Sequence, residues 1–406
     1  MITTRYSSTI SAFAIMTLIA GCGRADAPSN DPPPTEPQIA QLPTEGECRE
    51  FSNNLERAIT TGDRASVDRL LGVLGIIDRC VDELGMTKTE KQQFLKGAAR
   101  GLNFLPDQMI DEVKKGGKYS LLRIHQVDGR QRVLMRSIGP DGGVGYHDII
   151  LVKKPNGEVE IDDIYIYLGG EKLSQMLRHM ILPVLTEKNQ GLLAKLSGSE
   201  RIYSKHIKTL AEMTIDNRNG KYKDALEKFR SLPVELQNNK YFQIIAMRAA
   251  QGLDDESGYV RELERYKKNF PNDPSLDLMI IDYYFIKNNH AEVFRALDRL
   301  DKAVGGDPQL WALTGSSLVK ADRISEATAL VEKAIKVEPN LTSAYQVRIS
   351  ISLKAKNHTD TLIWLKKGIE TKALAADSDS LKMNPEYAEF IKTTAFEELK
   401  QWLAKR

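Results

Sequence analysis

Cysteine is scarce in this chain of 406 residues: three occur, at positions 22, 48 and 80. That excludes a disulfide-dense scaffold. No Cys-x-x-Cys pair occurs, and the six histidines (125, 147, 179, 206, 290 and 358) lack metal-ligand spacing, with no His-Glu-x-x-His. Neither sign of charge dominates: 57 basic residues stand against 55 acidic ones. The electrostatic footprint of a nucleic-acid binder is therefore missing. The glycines from Gly139 to Gly145 are not followed by the Lys-Ser/Thr of a phosphate-binding loop, and no Gly-x-Ser-x-Gly elbow occurs. No cofactor, metal or nucleic-acid partner is expected, and the chain is not read as an enzyme. Long apolar runs are absent too. The stretch Ile10–Ala20 has eleven residues, about 16 Å as a helix, whereas a membrane span needs about 20 residues.

What is present begins at that short run. It leads into Leu18-Ile19-Ala20-Gly21-Cys22 and then a segment with Pro28, Pro32, Pro33, Pro34, Pro37 and Pro43. A short apolar core, small residues and a cysteine read as a processed export signal. The pattern resembles a bacterial lipoprotein signal, which implies cleavage before Cys22 and a lipid on its thiol. Ile19 stands where that family prefers leucine, and Arg5 is the lone base ahead of the apolar core. Gly23, rather than Asp, follows the cysteine, which by the family's sorting rule implies the outer membrane, facing the periplasm. Residues 1–21 are thus the signal, and 22–46 a proline-rich disordered tether that cannot bury enough apolar surface to order itself. The membrane is an expected partner, reached through the lipid.

Composition beyond this is ordinary for a globular protein, with 41% apolar and 28% charged residues. The length suits about two or three domains. Residues 47–200 read as an α+β domain. Phe51, Leu55, Ala58 and Ile59 repeat at helical spacing, Thr61-Gly62-Asp63 offers a break and a cap, and Val67, Leu70, Leu71 and Leu74 continue on a second helix. One or two more helices are expected over Thr87–Lys115, with Phe94, Ala98 and Leu102 on one face. Four β-rich runs follow, Tyr119–Gln126, Arg132–Ile138, Val144–Val152 and Glu158–Tyr167, separated by Gly-, Asn- and Pro-containing turns. They predict a four-stranded antiparallel meander, with a helix resuming over Glu171–Arg178. Helices followed by a curved antiparallel sheet resemble the nuclear transport factor 2-like cone.

Cys48 and Cys80 are expected at matching ends of a helix hairpin. There they read as a disulfide closing a loop of about 32 residues, worth roughly 3–4 kcal/mol, or as two buried thiols. Alternation puts Tyr146 and Asp148 on one face of their strand and His147 on the other. Asp163 is expected to share a face with Ile161, Tyr165 and Tyr167. Asp163 and Tyr165 are the candidate residues of a cone pocket, which would bind a small apolar ligand or run isomerase-like chemistry.

From about 206 onward the chain repeats itself. Ala225, Glu262, Ala296, Ala327 and Thr361 align at separations of 37, 34, 31 and 34 residues. The best copy carries Trp311, Gly315, Leu318, Ala327, Val331, Ala334 and Pro339. This resembles the tetratricopeptide repeat, a helix-turn-helix unit of 34 residues. Pro274, Pro308 and Pro339 are expected to end second helices, and Pro385–Trp402 reads as a capping helix pair. The fold class is accordingly mainly α: an α-solenoid of tetratricopeptide-like hairpins over 206–406, preceded by the smaller α+β domain. The resemblance implies a groove that binds a protein partner, lined by Met247, Leu278, Ile281, Phe285, Ala312 and Ser316. The expected function is a noncatalytic, membrane-anchored interaction scaffold.

Overall fold

The computed structural model describes residues 42–82, 88–89, 91–92, 95–96, 105–140, 142–177, 198–271, 273, 275–375 and 377–405. The signal, Cys22, nearly all of the tether, Phe94, Ala98, Leu102 and Pro274 lie outside the described residues. The chain is mainly helical with one antiparallel sheet. It divides into two compact units, Met1–Met279 and Ile280–Arg406. Among the described residues, no helix is long and apolar enough to cross a membrane.

The first unit opens with α1 (Glu45–Thr61). Thr44 caps it: its hydroxyl accepts from Glu47 N, while the Glu47 carboxylate accepts from Thr44 N at 2.8 Å. This reciprocal box satisfies two backbone donors that the first turn would leave bare. Helices α2 (Arg64–Leu71) and α3 (Val73–Asp82) follow. A single second helix is expected through Leu74, but Gly72 adopts a left-handed conformation at φ 53° and redirects the chain. Helix α4 (Leu105–Lys114) leads into the sheet.

The sheet is a meander of five strands in sequence order: β1 (Lys118–Val127), β2 (Arg130–Ile138), β3 (Val144–Lys153), β4 (Val159–Ile166) and β5 (Glu171–Lys172). The expected helix from Glu171 therefore starts two residues late, at 173. One face carries Val133, Met135, Ile149, Leu151, Ile161 and Ile164, all buried. Lys153 belongs to that face and donates to Glu47 of α1 at 2.6 Å, so α1 lies over it. Phe51, Leu55 and Ile59 supply the facing apolar stripe. Each large side chain so buried is worth about 1.5–3 kcal/mol.

Helices then continue to the end of the chain. The first unit adds α5 (Gly198–Arg218), α6 (Tyr222–Ser231), α7 (Val234–Gln237), α8 (Lys240–Gly252) and α9 (Glu256–Asn269). Helix α10 (Leu276–Ile286) spans the division. The second unit holds α11 (His290–Val304), α12 (Pro308–Lys320), α13 (Ile324–Val337), α14 (Thr342–Lys354), α15 (His358–Glu370), α16 (Ser378–Met383) and α17 (Thr394–Ala404). Two 3₁₀ turns, Pro385–Tyr387 and Phe390–Lys392, stand before α17 in place of the first helix of the expected capping pair.

One turn recurs along this array. Gly220, Asp254, Asn288, Asp322 and Lys356 all have positive φ, and each stands 34 residues after the last. At each, the next residue donates its N–H to the carbonyl five residues back: Lys221 to Asp216, Asp255 to Ala250, Asn289 to Tyr284, Arg323 to Leu318 and Asn357 to Ser352. That bond is the wide one of a Schellman end, and it closes one helix while the next residue opens another. Asp255, Asn289 and Asn357 also cap the new helix with their side chains. Measured from this turn, Ala225, Ala327 and Thr361 are equivalent, whereas Glu262 and Ala296 sit three residues further on. The uneven separations of 37 and 31 thus come from picking small or buried residues one helical turn apart, and the period itself is constant.

Pro308 does not end a helix. Helix α11 stops at left-handed Gly305, and Pro308 occupies the first turn of α12, where its missing N–H has no intrahelical partner to lose.

Candidate functional site

Strand register sorts the chemistry of the sheet onto two faces. Arg132 pairs with His125 on β1, and Asp148 with Leu134 on β2 and Tyr165 on β4. Arg123, His125, Arg132, Tyr146, Asp148, Asp163 and Tyr165 therefore occupy the face turned away from α1. The register slips between Ile150 and Leu151, so that Asp163 pairs with Ile150 but Ile161 with Leu151. Ile161 is accordingly on the α1 side, and does not share a face with Asp163 as alternation predicts. An extra residue, Asp162, causes the slip.

Asp148 is the centre of this polar face and is 5% exposed. One oxygen is 2.8 Å from His125 Nε2, and the other accepts from Arg132 Nη1 at 3.2 Å. Tyr167 packs edge-on against Tyr146 and Tyr165, with ring centroids 5.6 and 5.4 Å apart. Burial pushes the Tyr165 phenol up to about 12, with further contributions from Tyr167, Tyr266 and Asp148. Burial and the Asp148 charge also raise Tyr167, against the pull of Arg123 and Arg132. These phenols stay protonated and are donors.

Asp163 is buried and fully engaged. Its Oδ1 accepts from Ile164 N at 2.9 Å and Ser174 N at 3.1 Å, and its Oδ2 accepts from Ser174 Oγ at 2.6 Å. It ties β4 to the helical turn at 173–177, which is the geometry of a cap. Tyr165 is its neighbour on the face but is not among its partners.

On the α1 side, His147 Nδ1 is hydrogen-bonded to the Tyr119 hydroxyl at 3.0 Å. Burial pushes the imidazole down to about 4 and the phenol up, so a neutral ring accepts from the phenol. Among the described residues, no group of His, Cys, Asp and Glu is placed to hold a metal ion.

The expected bridge between Cys48 and Cys80 is not formed: both are buried thiols. Cys80 Sγ donates to Ser174 O at 3.4 Å. The break at Gly72 is the physical reason, since three helices replace the two-arm hairpin that would have matched the cysteines.

The chain matches no family model and none of the curated proteins.

Of the six residues expected to line a groove, Met247 and Leu278 belong to the first unit, and Ile281, Phe285, Ala312 and Ser316 to the second. Met247, Ile281 and Ala312 are buried, while Leu278, Phe285 and Ser316 are half-buried. Helix α8, which carries Met247, is buried on nearly every side because α5, α6, α7 and α9 all pack on it. Lys320 Nζ lies 5.2 Å over the Phe285 ring.

The second unit also holds a polar hub that no sequence motif marks. Arg348 donates to Glu332 at 2.8 Å and to Asp360 at 2.7 Å, and its guanidinium stacks 4.8 Å from the Trp364 centroid. It joins α13, α14 and α15. An arginine on an otherwise apolar helix face was its only signal.

Proposed function

We propose that this chain is a lipid-anchored envelope protein whose 34-residue helix pairs are tetratricopeptide-like repeats that bind protein partners. The observation that carries this reading is the turn repeated at 220, 254, 288, 322 and 356 with one hydrogen-bond pattern. It counts five pairs: α5–α6, α8–α9, α10–α11, α12–α13 and α14–α15. A pair of this length cannot bury its apolar face alone, so neighbouring pairs within a unit share a core. Leu318, Ala327, Val331 and Ile351 are such a core where α12, α13 and α14 meet. The sheet domain, with helices over one face, is then the nuclear transport factor 2-like module, and it serves as a spacer between tether and array.

The anchor is the residue pattern ending in Cys22. Acyl chains add about 0.8 kcal/mol per buried CH₂, so a multiply acylated Cys22 holds the chain at the outer membrane, facing the periplasm. Two measurements test the reading. Replacing Cys22 by Ser should move the protein from the membrane pellet to the soluble periplasm, and continued retention would refute the anchor. A photo-cross-linking residue at Ser316 or Phe285 should yield discrete, saturable protein adducts in whole cells, whereas one at the 83% exposed Met383 should not. Identical adduct patterns at all three positions would refute the groove.

A further inference from the structure

The face of the sheet turned away from α1 carries hydrogen-bonding groups that the fold itself does not use. His125 stands opposite Arg132, and Asp148 opposite Tyr165. Tyr167 N donates to Tyr146 O at 3.0 Å, which sets Tyr167 beside Tyr146 on the same face. The face is closed at its centre, where Leu134, Tyr146 and Asp148 are buried. It opens toward β1, where the His125 and Arg132 side chains keep 18% and 20% of their surface in water.

Asp148 fixes what its neighbours can offer. An ionised carboxylate only accepts hydrogen bonds. The 2.8 Å bond to His125 therefore puts the proton of the neutral imidazole on Nε2 and leaves the Nδ1 lone pair as an acceptor. Among the described residues, no donor meets that lone pair. Arg132 gives Nη1 to Asp148, whereas its Nε is buried with no acceptor among the described residues. The Tyr165 and Tyr167 hydroxyls have no hydrogen-bond partner there either. A buried donor left bare costs more free energy than a typical hydrogen bond contributes. An oxygen from outside the chain, bound at Arg132 Nε, removes that cost.

The set has two chemical demands. Arg132 Nε and the phenols call for an acceptor, best an anionic oxygen. His125 Nδ1 calls for a hydroxyl donor. The rings of Tyr146, Tyr165 and Tyr167, packed edge to edge, supply an apolar wall for the carbon skeleton that carries both.

We propose that this face binds a small hydroxylated acid of the sugar-acid class, with Arg132 Nε and the Tyr167 hydroxyl donating to its carboxylate and His125 Nδ1 accepting from a hydroxyl. Asp148 touches no ligand atom and is a positioning residue that orients both His125 and Arg132. The sheet domain thereby gains a ligand of its own, independent of any protein bound by the helix pairs.

Calorimetric titration of the full chain with glucuronate, glucose and acetate tests the proposal. Glucuronate should bind saturably and about tenfold or more tightly than glucose or acetate, each of which meets only one of the two demands. Arg132→Gln should weaken glucuronate binding about tenfold. Tyr167→Phe keeps the ring and should weaken it by a smaller factor. Tyr119→Phe removes a hydroxyl from the opposite face and should leave it unchanged. Near-ultraviolet tyrosine dichroism reports that each variant is folded. In nitrogen NMR spectra of the wild type, the His125 imidazole signals, assigned by their loss in His125→Gln, should move with glucuronate while those of His147 stay in place. No saturable glucuronate binding would overturn the proposal. So would glucose or acetate binding as tightly, an affinity unmoved by Arg132→Gln and Tyr167→Phe, or His125 signals that do not respond.

Discussion

Gly315 on α12 stands so close to Val331 on α13 that a Cβ on the glycine would overlap Val331 Cγ1. The two helices meet backbone to side chain at this point, and Ala327 O is the next atom in line. Gly315→Ala therefore adds volume where none is free. Overpacking of this kind costs about 1–3 kcal/mol, against about 1 kcal/mol regained from helix propensity. The net expectation is a loss of stability that Val331→Ala partly reverses, although Val331→Ala alone leaves a cavity and destabilises. The three tryptophans, 311, 364 and 402, all lie in the second unit. Urea unfolding followed by tryptophan fluorescence thus reports this unit alone. Strict additivity of the two substitutions would show that the helices do not interlock here.

Lys356 makes the same turn as Gly220, Asp254, Asn288 and Asp322, at φ 54°. Glycine, asparagine and aspartate tolerate that conformation, but a lysine Cβ is crowded by the following carbonyl, at a cost of about 1–2 kcal/mol. Lys356→Gly removes the crowding and loosens the unfolded chain by a smaller amount. The variant should be more stable than the wild type by about 0.5–1 kcal/mol in the same fluorescence assay. Equal or lower stability would mean that the lysine side chain contributes something its exposed position does not suggest.

The turn explains what was legible in the residues and what was not. Ala327 and Thr361 reveal the 34-residue period because both copies place their closest-packed residue at the same distance from the turn. Two copies hide it, since there the residues that draw the eye, Glu262 and Ala296, are one helical turn later on the same face. The strands are legible from alternation and turn residues, but the slip at Ile150 is not. One extra residue, Asp162, leaves composition unchanged and reverses which face Ile161 joins. Asp163 looks like a base on an apolar face only until Ser174, eleven residues away, is seen to occupy it. The Lys240 ammonium, which donates to Gly170 O at 3.1 Å and pairs with Asp273, is placed there only by tertiary packing, and no local pattern marks it.

His147 gives the first unit an acid-sensitive element. Its half-buried imidazole is held neutral by desolvation, with the folded value at about 4 against an ordinary 6.5. The unfolded chain thus binds one more proton than the folded chain between about pH 4 and 6.5, and stability falls as pH drops through that window. At about 1.4 kcal/mol per unit the full loss approaches roughly 3 kcal/mol. Burial raises the Glu171 carboxyl to about 7, so it acts with the opposite sign over an overlapping window, and the wild-type profile alone does not separate the two. The difference between wild type and His147→Gln does. With unfolding followed by tyrosine near-ultraviolet dichroism, the advantage of wild type over variant should shrink steadily from pH 7 to pH 4.5. A constant difference would mean that His147 does not titrate on unfolding.

Cys48 and Cys80 offer a covalent test of how the helices before the sheet are arranged. Burial pushes the Cys48 thiol up to about 11, and the charges of Glu47 and Glu45 push the same way. The thiolate is the reactive form, so near pH 8 Cys48 is both shielded and almost entirely protonated. Cys80 is engaged with Ser174 O. Two thiols in these positions predict that Cys48 resists alkylation in the folded protein for as long as the fold stays closed. Both cysteines should then be alkylated after denaturation without any reductant. Intact mass should show no loss of two hydrogens, and reductant should leave the unfolding midpoint where it was. A mass lower by two hydrogens, with protection from alkylation that only reductant relieves, would mean that α1 and α3 come together as the arms of a hairpin. The left-handed residue at Gly72 is what keeps the second arm from forming, so such a bridge requires that turn to unwind.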